Sequence, residues 1–177
     1  MNPLRLTVGA VLVLVGITGC APSDQFGEPS KSTTTKEGAP VGNGLTWQEA
    51  KAQTQDLELE IARLIPEDKV VKIDQGKTGT LFSCSETQHN WNGATTVTLS
   101  KGTEPEALVK AIEAQYQDSR FTIETDLSIT GNYRVQLRSP HTAASYIIVR
   151  DDPNAIRIAS GSACFTLPGG VYPGGDF

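Results

Sequence analysis

The sequence contains three cysteines and two histidines, the side chains best suited to nucleophilic or metal chemistry. His89 and His141 both lie in polar, turn-like segments, and two histidines make a poor zinc site unless carboxylates complete it. The sequence has no Gly-x-Ser-x-Gly, His-Glu-x-x-His or P-loop motif. It therefore predicts a protein that is not an enzyme and that has neither a metal site nor a cofactor.

Cys20 differs from the other two cysteines because it ends an apolar N-terminal run. Residues 6–17 form an uncharged stretch of 12 residues after Arg5, which is typical of a signal peptide and too short to span a bilayer comfortably. The motif Ile17-Thr18-Gly19-Cys20 resembles the lipobox of bacterial lipoproteins. The resemblance implies that residues 1–19 are a signal peptide and that Cys20 receives a diacylglyceryl group, with fatty acyl chains such as palmitate. The alternative is an uncleaved anchor or a disordered start.

Lipidation of Cys20 would leave Cys84 and Cys164 as an even pair in a compartment where thiols oxidise. Both cysteines adjoin strand-like sequence, and a bond between them would close a loop of 80 residues. Chain-entropy models assign such a loop about 4–5 kcal/mol of stabilisation. We expect a disulfide here, and the alternative is two free buried thiols.

The segment after Cys20 has the composition of a linker. Residues 21–44 contain 3 prolines, 4 glycines and 6 serines or threonines without apolar periodicity. Residues 20–44 are therefore expected to be the lipidated cysteine and a flexible tether, and residues 45–177 a single folded domain.

Removal of residues 1–19 leaves 14 basic and 20 acidic residues, a formal net charge of −6. This acidic balance without a basic run argues against nucleic-acid binding.

Two amphipathic helices are predicted in the domain. The first begins at the capping-box pair Thr46 and Glu49 and ends before Pro66. The second begins near Thr103, with Pro105 in its first turn. The expected buried stripes are Trp47, Ala50, Thr54, Leu57, Ile61 and Leu64 in the first helix, and Ala107, Leu108, Ala111, Ile112 and Tyr116 in the second.

Alternating residues predict strands in the rest of the domain. A three-residue loop at residues 130–132 would pair Leu127 with Val135 and place Glu124 opposite Arg138, a favourable cross-strand pair. Residues 146–149 are apolar at every position, as in a covered central strand, and residues 155–165 form the last strand. The order α-β-β-β-α-β-β-β-β predicts an α+β fold in which two helices pack on one face of an antiparallel sheet of about six to seven strands.

The lipobox, the segments IPEDKVVKID and EPEALVKAIEAQY, Cys84 and the closing IRIASGSACF together resemble the LppA-type cell-envelope lipoproteins of mycobacteria and related actinobacteria. The resemblance covers most of residues 45–167 in layout. It implies an envelope location and this fold, and it provides no catalytic residues.

The densest group of binding side chains is expected in a loop at residues 83–93. It contains His89, Asn90, Trp91 and Asn92, and tryptophan flanked by amides is typical of recognition surfaces. The alternative is that Trp91 covers the edge of the core beneath the sheet. The C-terminal segment repeats Pro-Gly-Gly and is expected to be an irregular arm.

These features predict a lipid-anchored protein on the extracytoplasmic side of the cell membrane. Its expected role is that of a non-catalytic binding or adaptor module, with an envelope protein or a wall component as partner. The alternative is a carrier of a small apolar or lipid ligand held between the sheet and the helices, which would need a large cavity.

Overall fold

A computed structural model describes residues 44–177 of the chain, so the predicted signal peptide, Cys20 and the predicted tether up to residue 43 lie outside the described residues. The first helix, α1 (Trp47–Ala62), begins as predicted, because Thr46 and Glu49 cap each other's backbone N–H groups. A short 3-10 turn at Glu67–Lys69 follows, and the chain then enters the sheet.

The remaining elements follow one another in the predicted order. They are β1 (Val70–Gln75), β2 (Thr80–Ser83), β3 (Gln88–Leu99), α2 (Pro105–Tyr116), β4 (Thr122–Leu127), β5 (Tyr133–Arg138), β6 (Ser145–Asp152), β7 (Ala155–Gly161) and β8 (Phe165–Thr166). The predicted last strand is divided into β7 and β8, which gives eight strands where six to seven were expected.

The strands form one antiparallel sheet of order β1-β3-β7-β6-β5-β4. β2 and β8 also pair with β3, so this long strand has four partners. The predicted α+β class and its two helices on one sheet are confirmed.

Both helices lie on the same side of the sheet, which we call the helix face. α1 packs over β3 and β7, whereas α2 packs over β5 and β6. The main core fills the space between them, and its buried residues are Leu57, Ile61, Ala62, Ile65, Val97, Leu99, Val109, Ile112, Tyr116, Val135, Leu137, Tyr146, Ile148, Ile156 and Ile158.

The opposite side of the sheet has no helix over it among the described residues, and we call it the open face. On β3 it carries Asn90, Asn92, Ala94, Thr96 and Thr98, the positions that alternate with the core residues. β6 is an interior strand, as predicted, but it is covered on one side only. Its Ile147 and Val149 lie half-buried on the open face because β5 and β7 flank them.

The register of the β4–β5 hairpin differs from the prediction by two residues. Leu127 pairs with Tyr133, and Glu124 pairs with Gln136 rather than with Arg138. The loop has the predicted length of three residues but lies at 129–131, because Gly131 adopts a φ of +77° and its N–H bonds to the Ser128 carbonyl. A shift of two residues keeps every side chain on its predicted face.

The buried stripe of α2 is also rotated from the predicted one. Val109 is fully buried, whereas Ala107 and Ala111 are exposed. In α1 the predicted stripe is correct except at its end, where Leu64 is 40% exposed and Ile65 is buried instead. The chain tightens into shorter turns beyond Ala62, and this moves Ile65 into the core.

Candidate functional site

The four residues predicted to form a recognition loop lie on a strand. Residues 84–87 form a tight bend, and β3 already begins at Gln88. The loop prediction is therefore wrong for His89, Asn90, Trp91 and Asn92, because this segment is paired with β2 on one side and with β7 and β8 on the other. Alternation along the strand separates their side chains onto two faces.

Trp91 is completely buried on the helix face. It forms a second core cluster with Ala50 and Phe165. Its indole N–H donates to the carbonyl oxygen of Phe177 at 3.2 Å, and the Phe177 ring packs edge-on against Trp47 with 5.3 Å between centroids. This position agrees with the alternative prediction, in which Trp91 covers the edge of the core.

The C-terminal segment closes this cluster. Phe177 exchanges two backbone hydrogen bonds with Gly79, of 2.8 and 3.0 Å, and its carbonyl oxygen also accepts from the Lys51 ammonium. A side chain at residue 79 would come within 2.5 Å of the Trp91 ring, so glycine is required where the two segments meet. The expected arm across the domain is therefore held by Phe177, whereas Tyr172 is 79% exposed.

The other three residues of the predicted group do not meet at one site. Asn90 and Asn92 lie on the open face, where they bond to each other at 3.1 Å. His89 lies on the side of the strand that Trp91 occupies, and its buried Nδ1 atom has no hydrogen-bond partner among the described residues. His141 is exposed in the connection between β5 and β6.

The predicted disulfide between Cys84 and Cys164 is present, with its Cα atoms 6.3 Å apart. It joins the bend after β2 to the segment between β7 and β8. The disulfide therefore ties the two short strands that flank the beginning of β3 to each other.

A cleft of about 740 Å³ lies on the open face, between the connection at residues 76–79, which lies beside β3, and the side chains of β7. Its floor is low because Ala94 and Ala159 have small side chains. Hydroxyl, amide and charged groups surround this floor, contributed by Asp74, Gln75, Lys77, Thr78, Thr80, Asn92, Thr96 and Arg157.

Several charged side chains of the open face form ion pairs within the chain. Lys72 contacts Asp74 at 2.7 Å, Arg138 contacts Glu124 at 3.5 Å, and Arg134 forms a two-pronged ion pair with Asp126. This last contact lowers the pKa of Asp126 and raises that of Arg134. Arg157, at the edge of the cleft, makes no ion pair with any other residue of the described part of the chain.

A buried carboxylate lies beneath the cleft, and sequence reasoning missed it. Glu58 of α1 is 0% exposed. Its oxygens accept hydrogen bonds from Thr95 at 2.7 Å, from Gln75 at 3.1 Å and, through a very short contact, from Ser160. The sequence could have indicated that Glu58 is buried, because Glu58 lies next to Leu57 and one turn before Ala62, on the buried stripe of α1. No cation contacts Glu58 among the described residues, so its polar contacts there are these three hydrogen bonds.

A second groove, of about 480 Å³, runs beside α1 near Tyr146 and is open to solvent. Its lining mixes apolar side chains such as Phe121 with charged ones such as Glu60 and Arg120. Burial raises the pKa of Tyr146 to about 12, and burial likewise raises that of the neighbouring core residue Tyr116 to about 12. Both phenols are therefore neutral at neutral pH, and the buried Tyr116 hydroxyl has no hydrogen-bond partner among the described residues.

Residues 44–177 contain no group of three or more His, Cys, Asp or Glu side chains placed to hold a metal ion. No helix in this part of the chain is long and apolar enough to cross a membrane. No protein-family model matches the chain, and comparisons with curated proteins and with solved structures find no match. The geometry of the residues themselves is therefore the basis for a functional proposal.

Proposed function

We propose that this protein is a lipid-anchored lipoprotein of the extracytoplasmic side of the cell membrane, where it acts as a non-catalytic binding or adaptor module of the envelope. The observation that carries the binding role is the open face, which leaves a polar cleft of about 740 Å³ uncovered. A cleft of this volume lies within the range of about 300–1,000 Å³ that ligand sites occupy.

The proposed location rests on the lipobox at Cys20, supported by the Cys84–Cys164 disulfide. Disulfides persist in oxidising compartments and are rare in the cytosol. The resemblance to LppA-type lipoproteins agrees with this location and stays a prediction. A diacylglyceryl group on Cys20, with two acyl chains, would hold the protein durably, because stable anchoring takes more than one acyl chain.

The alternative role, a carrier of an apolar ligand between the sheet and the helices, has less support. Fifteen buried residues fill that space. The groove beside Tyr146 is the nearest opening, but Asp56, Glu60 and Arg120 line it together with apolar groups. An acyl chain bound there would lie against charged side chains that lose water without gaining a partner.

The anchor is tested by replacing Cys20 with alanine. We expect the variant to lose lipid and to leave the membrane fraction, because the proposed acyl acceptor is gone. Metabolic labelling with a palmitate analogue and detergent partitioning measure this. A Cys20→Ala protein that stays in the membrane fraction would refute the proposed anchor.

The binding surface is tested by a photo-crosslinking residue at position 96, on the open face beside the cleft. The matched control is position 115, an exposed position on α2 on the other side of the sheet. In intact cells we expect a discrete adduct from position 96 and none from position 115. Equal crosslinking from both positions would contradict the assignment of the open face as the binding surface.

A further inference from the structure

We infer that the cleft on the open face binds a carboxylate carried by an extended acidic peptide, and that Arg157 is the group that recognises it. This inference rests on the proposed function and names the chemical class of its ligand. The cleft is bounded by Arg157 on one side and by the connection at residues 76–79 on the other.

The first argument is charge complementarity. Three basic side chains of the open face each form an ion pair with an acidic side chain of the same chain. They are Lys72, Arg134 and Arg138. Arg157 forms no ion pair among the described residues, although it lies on the interior strand β7. Its neighbours across the strands are Thr96 and Val149, neither of which can neutralise it. Its guanidinium therefore faces the cleft with its donors available for an anion.

The second argument is a second cation at the opposite wall. Lys77 lines the cleft, and its ammonium makes no ion pair within residues 44–177. Its backbone is held in place because its carbonyl oxygen accepts from Lys51 at 2.6 Å. The protein as a whole is acidic, with a formal net charge of −5. The cleft therefore carries two cations without ion-pair partners in a protein that is acidic overall.

The third argument distinguishes a carboxylate from a phosphate and a peptide from a sugar. Asp74 also lines the cleft, and its charge, although partnered by Lys72, disfavours a single group that carries two negative charges, as a phosphate does. A guanidinium matches a carboxylate with two parallel hydrogen bonds. The lining contains no aromatic ring on which a sugar could stack. The shallow floor at Ala94 and Ala159 leaves room for a peptide backbone, and Asn92 and Thr80 offer amide and hydroxyl partners.

The test is isothermal titration calorimetry on the detergent-solubilised full chain. The probe is an acetylated and amidated pentapeptide of alternating alanine and glutamate, and the control peptide carries glutamine in place of glutamate. We expect the glutamate peptide to bind and Arg157→Gln to weaken its binding by about tenfold or more, because a hydrogen bond to a charged group is lost. Arg157→Lys should give an intermediate loss, because it keeps the charge without the two-pronged geometry.

The matched control variant is Arg134→Gln, which removes an arginine from the same face but outside the cleft lining. We expect less than about a twofold change in affinity, because Arg134 is engaged by Asp126. Arg157 is exposed, so its variants should keep the melting temperature of the parent protein.

Equal binding of both peptides, equal losses in Arg157→Gln and Arg134→Gln, or stronger binding of inorganic phosphate than of the glutamate peptide would each overturn the inference. Self-association of the chain that Arg157→Gln abolishes would also overturn it, because the occupant would then be a second copy. Failure of the peptide to bind while position 96 still crosslinks in cells refutes the ligand class alone. If position 96 gives no crosslinked adduct in cells, the proposed binding function is refuted as well.

Discussion

Replacement of Trp91 by alanine should be among the most destabilising single changes in this domain. The indole is 0% exposed, and truncation of a buried tryptophan costs about 3–5 kcal/mol. We expect the upper half of that range, because Gly79 and Gly93 contact the ring and have no side chains with which to fill the space. The lost indole N–H adds little, since the Phe177 carbonyl keeps Lys51 and Gly79 as donors.

Urea and thermal denaturation followed by circular dichroism measure this loss. A cost of this size corresponds to a decrease of about 10–20 °C in melting temperature for a domain of this length. The matched control is Trp47→Ala, because Trp47 belongs to the same cluster but is half-buried, and its loss should be smaller. If Trp91→Ala melts within a few degrees of the parent protein, Trp91 does not support the core and a recognition role would again be open.

Three further predictions concern the disulfide, the buried carboxylate and the tyrosines. Cys84→Ser combined with Cys164→Ser should lower the free energy of unfolding by about 4–5 kcal/mol, measured by urea denaturation against the oxidised parent protein; under reducing conditions the difference between the two proteins should vanish. Glu58→Gln should cost about 1–3 kcal/mol, because the amide replaces one of the two acceptor oxygens by an NH2 donor, so that either Ser160 or the pair Thr95 and Gln75 loses its acceptor; a gain in stability would show that burial of the carboxyl group costs more than these bonds contribute. Tyr116 and Tyr146 have pKa values raised to about 12, whereas unfolded tyrosines ionise near pH 10, so the unfolded state loses these protons first. Their contribution to stability is therefore complete below about pH 10 and is lost as the pH rises to about 12, which denaturation at several alkaline pH values would detect as a decreasing free energy of unfolding.

Local patterns predicted the elements well because the information for them is local. The capping box at Thr46 and Glu49 involves residues three apart, and the helix begins where that pattern places it. Strand faces were also predicted, since they depend only on alternation along the chain. The hairpin register was wrong by two residues because both registers preserve the faces, and only the conformation of Gly131 distinguishes them.

The candidate site could not be predicted because it is assembled from distant segments. Ser160 lies 102 residues after Glu58, and no periodicity of either segment shows that they meet. The cleft depends on the position of residues 76–79 relative to β3 and β7, which is a tertiary relation. Trp91 was assigned to a loop because polar neighbours flank it. Those neighbours, Asn90 and Asn92, lie on the opposite face of the same strand.

The four partners of β3 determine when the domain can fold as the chain emerges during synthesis. Its neighbour β7 begins at Ala155, so β3 can be paired on both sides only after about 60 further residues have emerged. Until then the hairpins of β4, β5 and β6 can form locally, while one edge of β3 stays without a partner. An unpaired edge of this length invites association with other chains. The arrangement therefore makes a chain interrupted before β7 more prone to aggregation than one that lacks only the C-terminal segment, which pulse-labelled truncations at residues 153 and 167 would compare.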